Sequence, residues 1–170
     1  IDGWKQEKPH HEYNVGTTSG DWYSGEFNHQ NVPNSTMRDG TPKGYAIMNV
    51  KGNTYSFDYK VAGESSDFQI KLIAPSAVSA KHTHRYSAYA NFFMGTPADL
   101  VEYRIGGGEW KKMKHTPDLD PNYVFNLLKF DNTESFIEAR RPSNPVKSTH
   151  LWSVKFSKLK AGNHTLEVRA

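Results

Sequence analysis

The sequence predicts an all-β fold, a two-layer antiparallel β-sandwich with one short helical segment in the connection around 121–141. Three observations predict it. Short stretches alternate apolar and polar residues with a period of two, the signature of strands with one buried face. About seven such stretches are separated by turn residues every 8–12 positions, the spacing of a sandwich. Their alternation differs from the unbroken apolar runs of parallel sheets, which are covered on both sides.

Residues 1–40 are polar and rich in Gly, Asn, His and Thr. They contain one stretch with strand character, 12–18, and an aromatic cluster at Trp22, Tyr23 and Phe27. The pattern changes at Gly44. Residues 45–50 and 54–61 flank Lys51-Gly52-Asn53, a hairpin signal. In the second of these, Tyr55, Phe57, Tyr59 and Val61 share one face, with Thr54, Ser56, Asp58 and Lys60 on the other. Phe68, Ile70 and Leu72 continue the alternation, as do residues 86–93. Val101, Tyr103 and Ile105 lead through three glycines into 109–113, a second hairpin. The apolar positions of 121–141 fit a helix better than a strand, so this stretch is a long connection with a helical turn or two. Residues 148–170 close the chain as a third hairpin, with Trp152, Val154 and Phe156 on one strand, Leu166, Val168 and Ala170 on the other, and Gly162 at the turn.

A chain of 170 residues suits one domain with a real core, or one domain with a fragment of another. With 9 Tyr, 9 Phe and 4 Trp, that core relies on aromatic rings. The net charge of +3 is spread out. The tightest basic groups, Lys111-Lys112 with Lys114 and Arg140-Arg141, are too short for the basic stripe of a nucleic-acid face. Cysteine is absent, which excludes disulfides and thiolate chemistry. No apolar run reaches membrane-span length. The chain starts at Ile1-Asp2-Gly3, without Met or a signal peptide, and stops inside an apparent strand; a processed chain or excised segment is expected.

Side chains two apart share a strand face, so His82 and His84 are the first candidates for a metal site. Lys81 and Arg85 flank them and no acidic residue lies close in sequence, which favours a polar loop tip. His10-His11-Glu12 is a weaker case of the same kind. Gly162-Asn163-His164 also occurs in the metal site of binuclear phosphoesterases, where two metals about 4 Å apart clamp a phosphate ester and activate water. That centre needs Asp-x-His, Gly-Asp-x-x-Asp, Gly-Asn-His-Asp/Glu and Gly-His-x-His segments. None is complete: Thr165 follows the tripeptide, Gly20-Asp21 lacks its second Asp, and Lys81 precedes the His pair. No Gly-x-Ser-x-Gly elbow occurs. Asp118 and Asp120 could pair as glycosidase carboxylates or hold Ca²⁺, but Asp118-Leu119-Asp120-Pro121 reads more simply as a turn before a helix. Among the aromatics, Trp4, Trp22, Tyr23, Trp110 and Trp152 could stack on sugar rings if exposed. Trp152 and Trp110 sit on apolar strand faces and are expected in the core, whereas Trp22 and Tyr23 are the expected exposed pair. The sequons at Asn34 and Asn163 are read as chance occurrences.

Several phrases resemble the C-terminal domain of Bacteroides-type calcineurin-like metallophosphoesterases. They are Ser19-Gly20-Asp21-Trp22-Tyr23-Ser24-Gly25, Arg38-Asp39-Gly40-Thr41-Pro42-Lys43-Gly44-Tyr45, Ala90-Asn91-Phe92-Phe93, Glu109-Trp110-Lys111-Lys112-Met113, Asp120-Pro121-Asn122-Tyr123, Ser148-Thr149-His150-Leu151-Trp152, and the final run from Ala161. Their order and spacing extend over residues 12–170. The resemblance implies an Ig-like or fibronectin-III-like sandwich over 39–170, without catalytic residues or bound metals of its own. It implies a preceding catalytic domain in the same polypeptide that carries the divalent metals. Residues 1–38 are then a lead-in that could pack on that domain, and Trp22, Tyr23 and Trp110 are the residues for ligand or domain contact. The domain would cover or position the active site or dock a phosphoester substrate, in a bacterium's periplasm or at its surface. The alternative is a module that binds carbohydrate or cell-surface glycan through exposed aromatics.

Overall fold

The computed structural model describes residues 12–170. In chain order these form β1 (Gly44–Lys51), β2 (Thr54–Val61), β3 (Ile70–Ile73), a 3-10 turn (Thr83–Arg85), β4 (Ser87–Phe92), β5 (Glu102–Ile105), β6 (Lys111–Lys112), β7 (Lys114–His115), β8 (Asp118–Leu119), α1 (Pro121–Asp131), β9 (Lys147–Ser148), β10 (Leu151–Lys155) and β11 (Leu166–Arg169). Their pairings are antiparallel, and the fold is an all-β sandwich with one helix.

Both predicted hairpins before the helix form. β1 pairs with β2 from Gly44↔Val61 out to Lys51↔Thr54, and Gly52 takes the left-handed conformation (φ +63°) that so tight a turn requires. β5 pairs with β6 across Gly106 and Gly107, also left-handed. The two layers are the sheet β3-β4-β10-β7 and the sheet β11-β5-β6. Ala90, Val101, Met113 and Trp152 are buried between them, and Ile70, Phe92, Tyr103, Val154 and Val168 close the cluster. Burying one indole contributes up to roughly 5 kcal/mol, so Trp152 dominates this core.

The period of two puts Lys71, Asn91 and Leu151, which are register partners, on the other face of the larger sheet. That face is not solvated: Asn91 and Leu151 are both fully buried. Residues 12–43 fold back over the sandwich and are tied down far along the chain. Gly25 N–H donates to the Arg140 carbonyl (2.8 Å), Val146 N–H to that of Arg38 (3.0 Å) and Ser143 N–H to the Asp21 carboxylate (2.6 Å). The central sheet is therefore covered on both sides, unlike the half-solvated sheets that alternation suggested.

Three other expectations are corrected. Residues 12–18 form no strand, because the Thr17 carbonyl accepts from Gly20 N–H (3.2 Å) and Gly44 N–H (3.1 Å), closing a turn where a ladder would run. Residues 148–170 do contain two strands, but they do not pair: β10 bonds to β4 and β7, β11 to β5. Phe156 extends β10 by donating to the Tyr86 carbonyl (3.1 Å), and the chain then crosses to the other layer. Gly162 (φ +135°) lies on that crossover, not at a hairpin tip. The His164 ring on that crossover is exposed and hydrogen-bonds the Lys160 carbonyl of its own loop (2.9 Å).

The helix expected within 121–141 spans Pro121–Asp131. Asp120 caps it by accepting from Tyr123 N–H (2.9 Å), and Pro121 supplies a preset φ at its first position. Tyr123 and Leu127 form its buried side. Gly40 (φ +87°) lies so close to this cap that a Cβ there would overlap the Asp120 carboxyl. Gly40→Ala therefore combines backbone strain with a clash against a buried side chain. We expect a loss of about 2–4 kcal/mol in urea unfolding. A loss under about 0.5 kcal/mol, the range of a neutral surface change, would show that the cap does not depend on this contact.

Candidate functional site

The densest set of buried polar groups lies on the covered face of the larger sheet, around Asn91. Asn91 Nδ2 donates to Asp120 Oδ2 (2.9 Å) and to the Asp39 carbonyl (3.3 Å). Its Oδ1 then faces His150 Nδ1 at 2.8 Å, so that ring nitrogen carries the proton. On the other side of the ring, Nε2 lies 3.3 Å from both Asp39 Oδ2 and Thr41 Oγ1. Ser148 Oγ is 3.3 Å from Nδ1. The sheet supplies Asn91, the turn before β1 supplies Asp39 and Thr41, the helix cap supplies Asp120, and the corner before β10 supplies His150.

Burial pushes the Asp39 carboxyl up. The hydrogen bond to His150, the Thr41 N–H and the attraction of the His150 ring outweigh it and hold the carboxyl below the usual range. Both nitrogens of His150 are engaged and neither faces solvent freely, as the residue is only 9% exposed. The ring thereby ties the turn before β1, through Asp39 and Thr41, to the strand residue Asn91. The set has the chemistry of a structural clamp.

A second buried carboxylate, Asp21, accepts from Ser143 N–H, from Ser24 Oγ (3.3 Å) and from the Tyr123 hydroxyl (3.5 Å). Burial and the nearby Asp21 push the Tyr123 hydroxyl up to about 12. Tyr59 is likewise raised to about 12, by burial first and then by Tyr13 and Asp39, and donates to the Pro42 carbonyl (2.7 Å). These phenols are donors locked in place.

The residues singled out from sequence are spread over the surface. His82, just before the 3-10 turn Thr83–Arg85, and His84, in the middle of it, are exposed with ring centroids 6.2 Å apart, and they share no strand face. Among the described residues no group of three or more His, Asp or Glu is placed to hold a metal ion. Asp118 is exposed and Asp120 buried, so the two do not face a common cleft. Trp152 is in the core as expected. Trp110 is not: it is half-buried, with the guanidinium groups of Arg104 and Arg169 over its ring at 4.6 and 4.3 Å. Those arginines pair with Glu167 and Glu102, which holds the stack in place. Trp22 and Tyr23 stand out at 75% and 55% exposure. Both adopt left-handed backbone (φ +58° and +53°), which costs bulky residues on the order of 1–3 kcal/mol each. Tyr23 N–H on the Ser19 carbonyl (2.9 Å) and Asp21 N–H on the Thr36 carbonyl (2.9 Å) hold the turn against that strain. Trp4 and His10-His11 lie outside the described residues.

Sequence reasoning missed the Asn91 clamp. One signal could have found it: Asn91 is a polar residue within an otherwise apolar strand, Ala88-Tyr89-Ala90-Asn91-Phe92. Asp39, Asn91, Asp120 and His150 also fall in four of the phrases that carry the family resemblance.

Residues 12–170 match the family described as the C terminal of calcineurin-like phosphoesterase, and the chain belongs to that family. No curated protein and no solved structure matches it.

The Asp39 geometry has a consequence for acid stability. Its folded-state value lies below the 3.8 of an ordinary aspartate, so its stabilising contribution is present above that pH and is lost as pH falls through the folded value. Asp39→Asn should flatten the acid limb of the stability curve below pH 3.8, followed by denaturant melts at successive pH values. An acid limb of unchanged slope would contradict the pairing with His150.

Proposed function

We propose that this chain is a non-catalytic accessory domain that works beside a calcineurin-like catalytic domain in the same polypeptide, covering or positioning its active site or docking its phosphoester substrate. The family match over residues 12–170 carries this reading. The clamp supports it, because its titratable groups are spent on one another. Divalent metals belong, on this reading, to the preceding catalytic domain. An Ig-like topology, a place in the Bacteroides-type branch and export to the periplasm or cell surface are parts of the same proposal.

Trp22 and Tyr23 are the residues proposed for contact with the catalytic domain. Two adjacent aromatic residues in strained backbone, mostly exposed yet well tied at their peptide groups, are costly unless a partner covers them. The same exposure favours a second reading, a glycan platform. It now rests on this pair alone, since arginines occupy Trp110.

The test is direct. This chain, supplied with Mn²⁺ and p-nitrophenyl phosphate, should give no turnover above the metal-only blank, and metal-dependent hydrolysis by it would overturn the proposal. On a glycan array it should give no saturable signal. Saturable binding abolished by Trp22→Ala would establish the second reading in its place.

A further inference from the structure

A cavity of about 520 Å³ opens between α1, the start of β3 and residues 24–43, away from the clamp's solvent side. Its size suits a small organic ligand. Phe68 and Leu127 form part of an apolar wall. Lys71 on β3 enters from the sheet, where its burial pushes the ammonium below its usual range despite the attraction of Asp120. The Lys71 ammonium makes no hydrogen bond among the described residues, and the Asp120 oxygens accept instead from Asn91 Nδ2 and Tyr123 N–H. Asn122 and Asn126, one helical turn apart on α1, also line the cavity and use no side-chain hydrogen bond. Lys43 adds a second cation, anchored on the Pro33 carbonyl (2.9 Å). Of the two acids on the lining, Glu26 is offset by Lys129 at 3.0 Å and Glu64 is exposed.

A half-buried ammonium that makes no hydrogen bond, lining the same cavity as two uncommitted amides and an apolar wall, is complementary to an anion attached to an apolar body. We propose that this cavity binds organic phosphate monoesters, the phosphate on Lys71, Asn122 and Asn126 and the organic group against Phe68 and Leu127. The choice of phosphate over other anions rests on the accessory-domain reading, in which the ligand is a substrate or product of a phosphoesterase.

The experiment titrates this chain with phenyl phosphate, with benzoate and phenol as controls, and follows amide chemical shifts. Saturable binding of phenyl phosphate is expected, weakened about tenfold or more in Lys71→Met, with phenol inert and benzoate weaker. Met keeps the length and apolar stem of the lysine, and a thermal melt checks that the variant folds. Should it not fold, Asn122→Ala with Asn126→Ala makes the same demand. Absent saturation, or binding untouched in a folded variant, overturns the site. Benzoate binding as tightly as phenyl phosphate overturns the phosphate assignment alone. Hydrolysis of phenyl phosphate by this chain would instead overturn the accessory-domain reading.

Discussion

The side chain of Asn91 is the point on which the arrangement depends. It is buried in the middle of a sheet, where an unpaired amide would cost on the order of 1–3 kcal/mol for each unsatisfied group. Its hydrogen bonds go to three places far apart in sequence: the turn at Asp39, the helix cap at Asp120 and the corner at His150. An apolar residue there could pack against any of several neighbours. Here the amide accepts from one donor and gives its two hydrogens in fixed directions, so it selects a single register for the covering layer. The helix start, the turn into β1 and the start of β10 are thereby set relative to one another.

Much of the sandwich was legible because its strands alternate cleanly. The β1–β2 and β5–β6 hairpins could be read from Gly52 and from the three glycines after Ile105, since left-handed turns leave a local mark. The helix start at Asp120-Pro121 was legible too, because an acceptor side chain followed by Pro marks it locally. What failed was non-local. β10 and β11 each look like strands, but nothing within residues 148–170 states that their partners are β4 and β5. The covering of the second face was hidden too, because residues 12–43 attach through backbone groups and isolated polar side chains without periodicity.

The candidate sites divided in the same way. Exposure of Trp22 and Tyr23 was legible from their Gly-rich surroundings, and burial of Trp152 from its strand face. Trp110 escaped the core because Arg104 and Arg169, distant in sequence, are carried to it by the β5–β11 pairing. The clamp was illegible as a set, since each member alone reads as turn, cap or strand residue. Together these features describe a domain whose buried polar side chains hold its own layers together.

Native-state hydrogen exchange on Asn91→Ala tests that central claim most directly. The account predicts that amides of residues 37–43 and of the first turn of α1 lose protection together, by a common free energy, while those of β5 and β11 keep theirs. Protection unchanged in both segments, or lost in only one of them, would contradict the claim that Asn91 couples them.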